Sequence, residues 1–154
     1  MRTTIMLFIV IATLFSPTIS IAWERKEIVI RRDIQMGGAY EYGILVKEFL
    51  ILFGDDVEPL ATPEGEFRVL WKSIDYHSKK YNAPMPYSLF FTGARNAIHS
   101  RGGNFKMPKS PEVRRCLRTH GCISVDNDIA PWLFDWVDTG SHGTKITILG
   151  NRQK

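Results

Sequence analysis

Residues 118–128 read RTHGCISVDND, and the reading of the whole chain turns on the four residues Thr119-His120-Gly121-Cys122 inside that stretch. A cysteine set between a His-Gly pair and a run of turn formers can close a disulfide, ligate a metal, fill a core as a small hydrophobe, or act as a nucleophile. The one other cysteine, Cys116, stands upstream with five residues between the two. A bridge between them would close a very small loop, with little loop entropy to gain. Zinc ligation by Cys116, His120 and Cys122 would use suitable donor atoms, but the spacing is no standard knuckle and a second ligand pair is missing. A nucleophile needs a base for its thiol, whose unperturbed pKa is about 8.5, and a group to orient that base. It also needs backbone N–H groups facing the developing oxyanion, which favours a neighbouring glycine. Gly121 meets the last need, and His99 and His120 are both candidates for the base.

The surrounding chain narrows the setting. Its 154 residues, 44% hydrophobic and 23% charged, with four Trp, five Tyr and nine Phe, fit one globular domain with a real core. At the N-terminus, Arg2, the apolar run Ile5–Phe15, Pro17 and the small residues of Ser20-Ile21-Ala22 are the parts of an export signal. Eleven apolar residues fall short of the about 20 that span a bilayer; an uncleaved anchor or a core helix is the competing reading. Three segments are therefore expected: a signal peptide over 1–22, a folded domain over 23–150 and a short polar tail over 151–154. The mature protein is expected to work outside the cytoplasm, with no stable membrane span after cleavage. Without Arg2 the chain keeps 19 basic and 16 acidic residues. This mild excess suits an anionic wall or membrane surface and is no nucleic-acid footprint.

Most of the mature chain reads as β. EIVI (27–30) is a short strand, Gly37-Gly38 marks a turn, and AYEY (39–42) and ILVKEFLILF (44–53) flank Gly43 as a hairpin. Residues 54–66 read as a loop with a tight turn at Thr62-Pro63-Glu64-Gly65, and EFRVLW (66–71) as one half-buried strand. YNAPMPY (81–87) is expected to be irregular, because Pro84 and Pro86 each lack a donor. SLFF (88–91) and NAIH (96–99) are short strands joined at Gly93, followed by a loop over 100–109. Ser110, Pro111 and Glu112 open a helix that runs to about Arg118 and carries Cys116, read as a structural residue. Asp126, Asn127 and Asp128 cap a second helix, whose apolar stripe is Ile129, Trp132, Leu133, Trp136 and Val137. Gly140 and Gly143 end it, and TKITIL (144–149) is a last strand. His77 and His142 fall in polar loops, and the two tryptophans of the stripe are expected in the core.

Taken together, these motifs resemble the L,D-transpeptidase family of peptidoglycan-remodelling enzymes. The family signature is a histidine, a spacer, then Ser or Thr followed by His-Gly-Cys. Here it is His99, nineteen residues, and Thr119-His120-Gly121-Cys122. TPEGEFRV (62–69), APMPYSLFF (83–91), NAIHS (96–100), DNDIAPWLFDWV (126–137) and GTKITI (143–148) follow the family pattern in order. The resemblance implies a β-sandwich of the L,D-transpeptidase type, mainly β with two short helices.

It also implies roles. Cys122 would be the nucleophile and His99 its base, oriented by the Ser100 carbonyl. His120, Gly121 and Cys122 would offer backbone donors to the oxyanion, and Tyr87 and Thr119 would border the substrate. The implied reaction joins a tetrapeptide stem to Cys122 as a thioester with loss of D-Ala, then passes it to an amine of another stem. The family's thiolate is also acylated by carbapenems. Water as the acceptor would make the protein an L,D-carboxypeptidase, and a non-catalytic wall-binding protein on the same fold is the third reading. No cofactor or metal is needed. The resemblance makes 23–150 a catalytic domain working in the periplasm or cell-wall compartment of a bacterium; its expected partners are peptidoglycan peptide stems, and the domain either finds the wall itself or is brought there by a wall-associated protein. The chain departs from the pattern in two places: its spacer is long, and Ser124 stands where the family commonly has Arg or Asn.

Overall fold

The computed structural model describes residues 24–55 and 60–150; the expected signal peptide over 1–22 and the tail over 151–154 lie outside the described residues. The strands are β1 (Lys26–Arg31), β2 (Met36–Glu41), β3 (Ile44–Leu50), β4 (Gly65–Arg68), β5 (Trp71–Ser78), β6 (Ala83–Phe90), β7 (Ala97–Ser100), β8 (Ile123–Val125) and β9 (Lys145–Leu149). Two helices, α1 (Pro111–Cys116) and α2 (Ile129–Trp136), complete the set. The mainly β class with two short helices is as expected.

Alternation along the strands places the core. Ile28 and Ile30 of β1 pair in parallel register with Ile146 and Ile148 of β9, and all four are buried. They line the inner face of a five-stranded sheet of order β3-β2-β1-β9-β4. Leu89, Ile98, Ile123 and Val125 belong to a four-stranded sheet, β5-β6-β7-β8, and join the same core with Leu133 and Val137 at α2. Burying each such side chain contributes about 1.5–3 kcal/mol.

The chain crosses between the sheets at two seams. At the first, the Val69 N–H bonds the Thr144 carbonyl next to β9, while the Leu70 N–H bonds the Phe90 carbonyl of β6. The single strand expected over 66–71 is therefore two strands in different sheets, divided at this change of partner. At the second seam, beyond β3, Leu52 and Ser124 exchange both backbone hydrogen bonds, at 2.9 and 2.8 Å.

Several local expectations are corrected. Gly37 and Gly38 lie inside β2, and the turn is over 32–35. A Cβ on Gly37 would come 2.2 Å from the Phe49 ring, so the glycine is there for close packing rather than for turning. No tight turn forms over 62–65, because Gly65 already opens β4. APMPY is strand: Pro84 pairs with His77 and Pro86 with Asp75 of β5. Prolines two apart lack their N–H on the same side of a strand. β7 reaches only Leu89 and Phe90 on that other side, so over 84–86 β6 behaves as an edge strand, which tolerates proline.

Further differences concern the helices and loops. His77 is on β5, exposed, and bonded to Asn82. Ser110 caps α1 as expected, its Oγ accepting the Val113 N–H. Asp128 makes no side-chain cap on α2; the Asp126 carbonyl takes the Ile129 and Ala130 N–H groups instead. Trp132 and Trp136 are only partly buried and stack on each other at the margin of the core.

Gly37→Ala should lower unfolding stability by about 1–3 kcal/mol, the usual cost of overpacking, because the buried Phe49 ring must move. Urea denaturation with unchanged m-value is the check; a loss below about 0.5 kcal/mol, the range of neutral surface substitutions, would refute the packing argument.

Candidate active site

The cysteine turn hangs from the second seam. Gly121 takes a left-handed backbone with φ of 96°, and Gly54 lies directly behind it. A Cβ on Gly54 would stand 2.7 Å from the Gly121 nitrogen and 2.0 Å from the Leu60 carbonyl oxygen, so only glycine fits there. The Thr119 N–H bonds the Phe53 carbonyl at 3.1 Å, and the Thr119 hydroxyl donates to the Cys122 carbonyl. The Gly121 carbonyl accepts from Asn96 Nδ2 at 3.0 Å, and Asn96 is itself held by the Thr92 hydroxyl at 2.8 Å. Both carbonyls of the turn are thus tied back. Among the described residues no hydrogen bond uses the backbone N–H of His120, Gly121 or Cys122.

β7 and β8 run parallel with His99 opposite Ser124, so His99 arrives on the strand next to the cysteine. It is only 8% exposed. Its Nδ1 lies 2.6 Å from the Ser100 carbonyl. A carbonyl can only accept, so Nδ1 carries the proton and, in the neutral ring, Nε2 keeps its lone pair. Burial lowers the His99 pKa to about 4, reinforced by the charge of Arg101 and opposed by the Ser100 bond. The ring is therefore neutral at pH 7. Ser100 is in turn fixed by its hydroxyl, which donates to Asn127 Oδ1 at 2.7 Å and accepts the Gly102 N–H at 2.9 Å.

Burial pushes the Cys122 thiol up, with a backbone hydrogen bond at Ala97 pulling the other way. At rest the thiol and the imidazole are thus both neutral. Both side chains line one cavity of about 310 Å³, together with Thr119, Arg101 and Ser124. A second cavity, about 630 Å³, meets Cys122 from the side of Lys79, Lys80, Arg95 and Asn96. Tyr81 and His120 line both and stack on each other, with ring centroids 4.2 Å apart.

Of the residues expected at the site, Cys122, His99, Thr119 and His120 border a shared cavity, and Ser100 and Gly121 support it from behind. Tyr87 does not. It takes a left-handed backbone that interrupts the β5–β6 ladder, and its ring packs edge-on against Phe134 of α2. The aromatic ring at the cavity is Tyr81, which the sequence reading passed over. Arg101 and Asn96 were also missed as lining or supporting groups, and Ser124 was singled out only as a departure from the family pattern. Ser124 is fully buried, and among the described residues its hydroxyl has no hydrogen-bond partner. Only its position two residues after His99 could have drawn attention to Arg101. Cys116, expected to be structural, is an exposed free thiol on α1, and Cys122 is also free. Among the described residues no group of His, Cys, Asp or Glu side chains is placed to hold a metal.

The family model for YkuD, the L,D-transpeptidase catalytic domain, matches residues 25–148. No curated protein sequence matches the chain. Among solved structures, the chain is similar to an L,D-transpeptidase from Stackebrandtia nassauensis, with 21% identity, a TM-score of 0.68, and 86% of this chain aligned to 58% of that one. An L,D-transpeptidase from Xylanimonas cellulosilytica gives 24% identity, a TM-score of 0.64 and coverages of 83% and 62%. One from Mycobacterium smegmatis gives 19%, 0.64, 82% and 59%. At these identities the likeness is one of fold, and the chain spans about three fifths of the length of these solved relatives.

A thiol raised by burial beside an unprotonated imidazole should react with iodoacetamide ever faster as pH rises past 9, with no plateau between pH 5 and 8. Peptide-resolved mass spectrometry separates Cys122 from the exposed Cys116. A plateau at neutral pH would instead reveal a preformed thiolate–imidazolium pair.

Proposed function

This chain belongs to the L,D-transpeptidase catalytic-domain family, and from that premise we propose that it is an acyltransferase working through Cys122 on tetrapeptide stems of peptidoglycan, outside the cytoplasm. The observation that carries the reading is the 2.6 Å bond between His99 Nδ1 and the Ser100 carbonyl. It leaves the Nε2 lone pair of a neutral ring in the cavity that Cys122 lines, which is what a general base requires.

The steps follow from that tautomer. As Cys122 Sγ bonds to the carbonyl carbon at the L-centre of the third stem residue, His99 Nε2 takes the thiol proton. The carbonyl oxygen becomes an oxyanion and is met by the backbone N–H groups of His120, Gly121 and Cys122, which no hydrogen bond among the described residues occupies. Collapse breaks the amide bond, and the imidazolium returns its proton to the departing D-Ala nitrogen. An amine of a second stem then attacks the thioester, His99 takes the amine proton, and the sulfur leaves and is reprotonated. Transfer to a stem amine gives a 3→3 crosslink. Carrying a neutral pair at rest costs nothing in buried charge, and the ion pair forms only as the substrate fills the cavity.

Among the described residues, Arg101 is the one arginine or lysine bordering the smaller of the two cavities at Cys122. Its guanidinium is steadied by the Arg118 carbonyl at 3.2 Å and sits over the Phe105 ring. We assign it the role of holding a stem carboxylate. This would meet the need that an arginine at position 124 would otherwise fill.

The stretch 1–22 is proposed to be the export signal, and the domain from residue 23 onward the working enzyme. With a disaccharide-tetrapeptide, the enzyme should yield a crosslinked dimer and free D-Ala by mass spectrometry, and Cys122→Ala should yield neither. Tripeptide and D-Ala without dimer would mean that water is the acceptor; no reaction under reducing conditions would favour a binding protein. Arg101→Gln should raise KM by about 10-fold or more with a smaller change in kcat, the signature of lost binding common to ground and transition states. An equal fall in kcat and kcat/KM would refute the assignment.

A further inference from the structure

We propose that the tip of the β2–β3 hairpin is a lipid-contacting surface, on which the domain rests against the bilayer while the export segment 1–22 is still attached and its apolar run is held there. At the tip Ile44 is 72% and Tyr42 61% exposed, and Leu45 and Val46 are each nearly half exposed. Four large apolar side chains in five residues, projecting from the edge strand of a sheet, form a patch rather than a scatter. Next to it, α2 presents the stacked pair Trp132 and Trp136. Lys47 lies over the first ring and Lys26 over the second. Tyrosine and tryptophan rings edged by lysines are the side chains that settle at a membrane–water interface.

The path of the chain favours lipid over another occupant. The Tyr42 N–H bonds the Arg25 carbonyl at 3.1 Å, so the chain enters the domain at the very tip of this hairpin. Phe15, the end of the apolar run, is nine residues before Glu24, a reach of at most about 30 Å. Any molecule whose run lies in a bilayer therefore carries the exposed tip to the same surface. So short a tether gives a weak contact a high effective concentration. The nearby charges balance in number: Arg25, Lys26 and Lys47 against Glu41, Glu48 and Asp138, with Arg25 and Lys26 both paired to Asp138. The contact is thus apolar in origin and needs no anionic lipid. Among the described residues no helix is long and apolar enough to cross a membrane, which suits a surface contact.

The contact also orients the domain. From Ile44 the segment runs away along β3 to Leu52, paired with Ser124, and Gly54, packed on Gly121. Cys122 is thereby held at the far end of a segment up to roughly 30 Å long, turned away from the bilayer. The proposal stands on the hairpin and the chain path and does not depend on the catalytic reading.

The test is hydrogen–deuterium exchange of the full chain on phosphatidylcholine vesicles, with and without added phosphatidylglycerol, beside an Ile44→Ser/Val46→Ser variant. These positions are exposed, so the fold should survive, and unchanged exchange in β1 and β9 verifies that. Amides of 42–46 should exchange at least about 10-fold more slowly in the parent than in the variant after correction for intrinsic rates, equally on both lipids. Three outcomes would overturn the proposal. One is no protection on vesicles that carry the protein, and another is protection that survives the double substitution. The third is protection that grows with protein density at fixed lipid, which would mean that a second copy pairs with the β3 edge.

Discussion

Two backbone hydrogen bonds between Leu52 and Ser124 hold the site together. They are the point where the chain leaving one sheet clamps the strand that follows the cysteine. Everything on either side is indexed to them. One residue before Cys122, Gly121 packs on Gly54, two residues past Leu52. The Thr119 N–H reaches the Phe53 carbonyl between them. A slip of one residue in this pairing would turn Ser124 to the opposite face and drive a side chain into the space that Gly54 leaves open. The reactive turn is therefore registered by backbone geometry, and the side chains of Thr119 and Asn96 only finish the job by tying down its carbonyls.

On the neighbouring strand the same economy sets protonation. Burial alone would leave an imidazole free to choose its tautomer, and the Ser100 carbonyl removes that choice. Asn127, at the approach to α2, then fixes Ser100 through its hydroxyl, so the orientation of His99 reaches back into the helix that closes the core. Because both His99 and Cys122 are shifted toward their neutral forms, the folded state buries no unpaired charge at this point. An isolated buried ion would be costly; a neutral pair that ionises only against a bound substrate avoids that.

The two ends of β3 do different things for the same reason. Toward Leu50 the strand turns inward, Phe49 filling the space over Gly37. Toward Ile44 it runs past the edge of the core, and no described residue covers it. An edge strand with apolar side chains is ordinarily a hazard for self-association, and its position at the chain's point of entry gives it a different neighbour.

Much of this was legible in the sequence. Period-two alternation gave most of the strands, Ser110-Pro111 the start of α1, and the His99…Thr119-His120-Gly121-Cys122 interval the residues that meet at the cavity. These are local properties, set by backbone preference and by the few side chains able to do a given chemistry. What the sequence could not reveal depended on a partner distant in the chain. Prolines 84 and 86 read as breakers until β5 was on one side of them and no strand on the other. Gly37-Gly38 read as a turn until Phe49 lay across it, and Tyr87 as a substrate contact until its left-handed backbone set the ring against Phe134. Ile123–Val125, three residues long, became a strand only because β7 ran alongside it. Residue types and their order determined which groups were present and which elements they favoured. Only the tertiary structure decided which faces were covered, because burial, and with it the neutral state of His99 and Cys122, is a property of neighbours far apart in the chain.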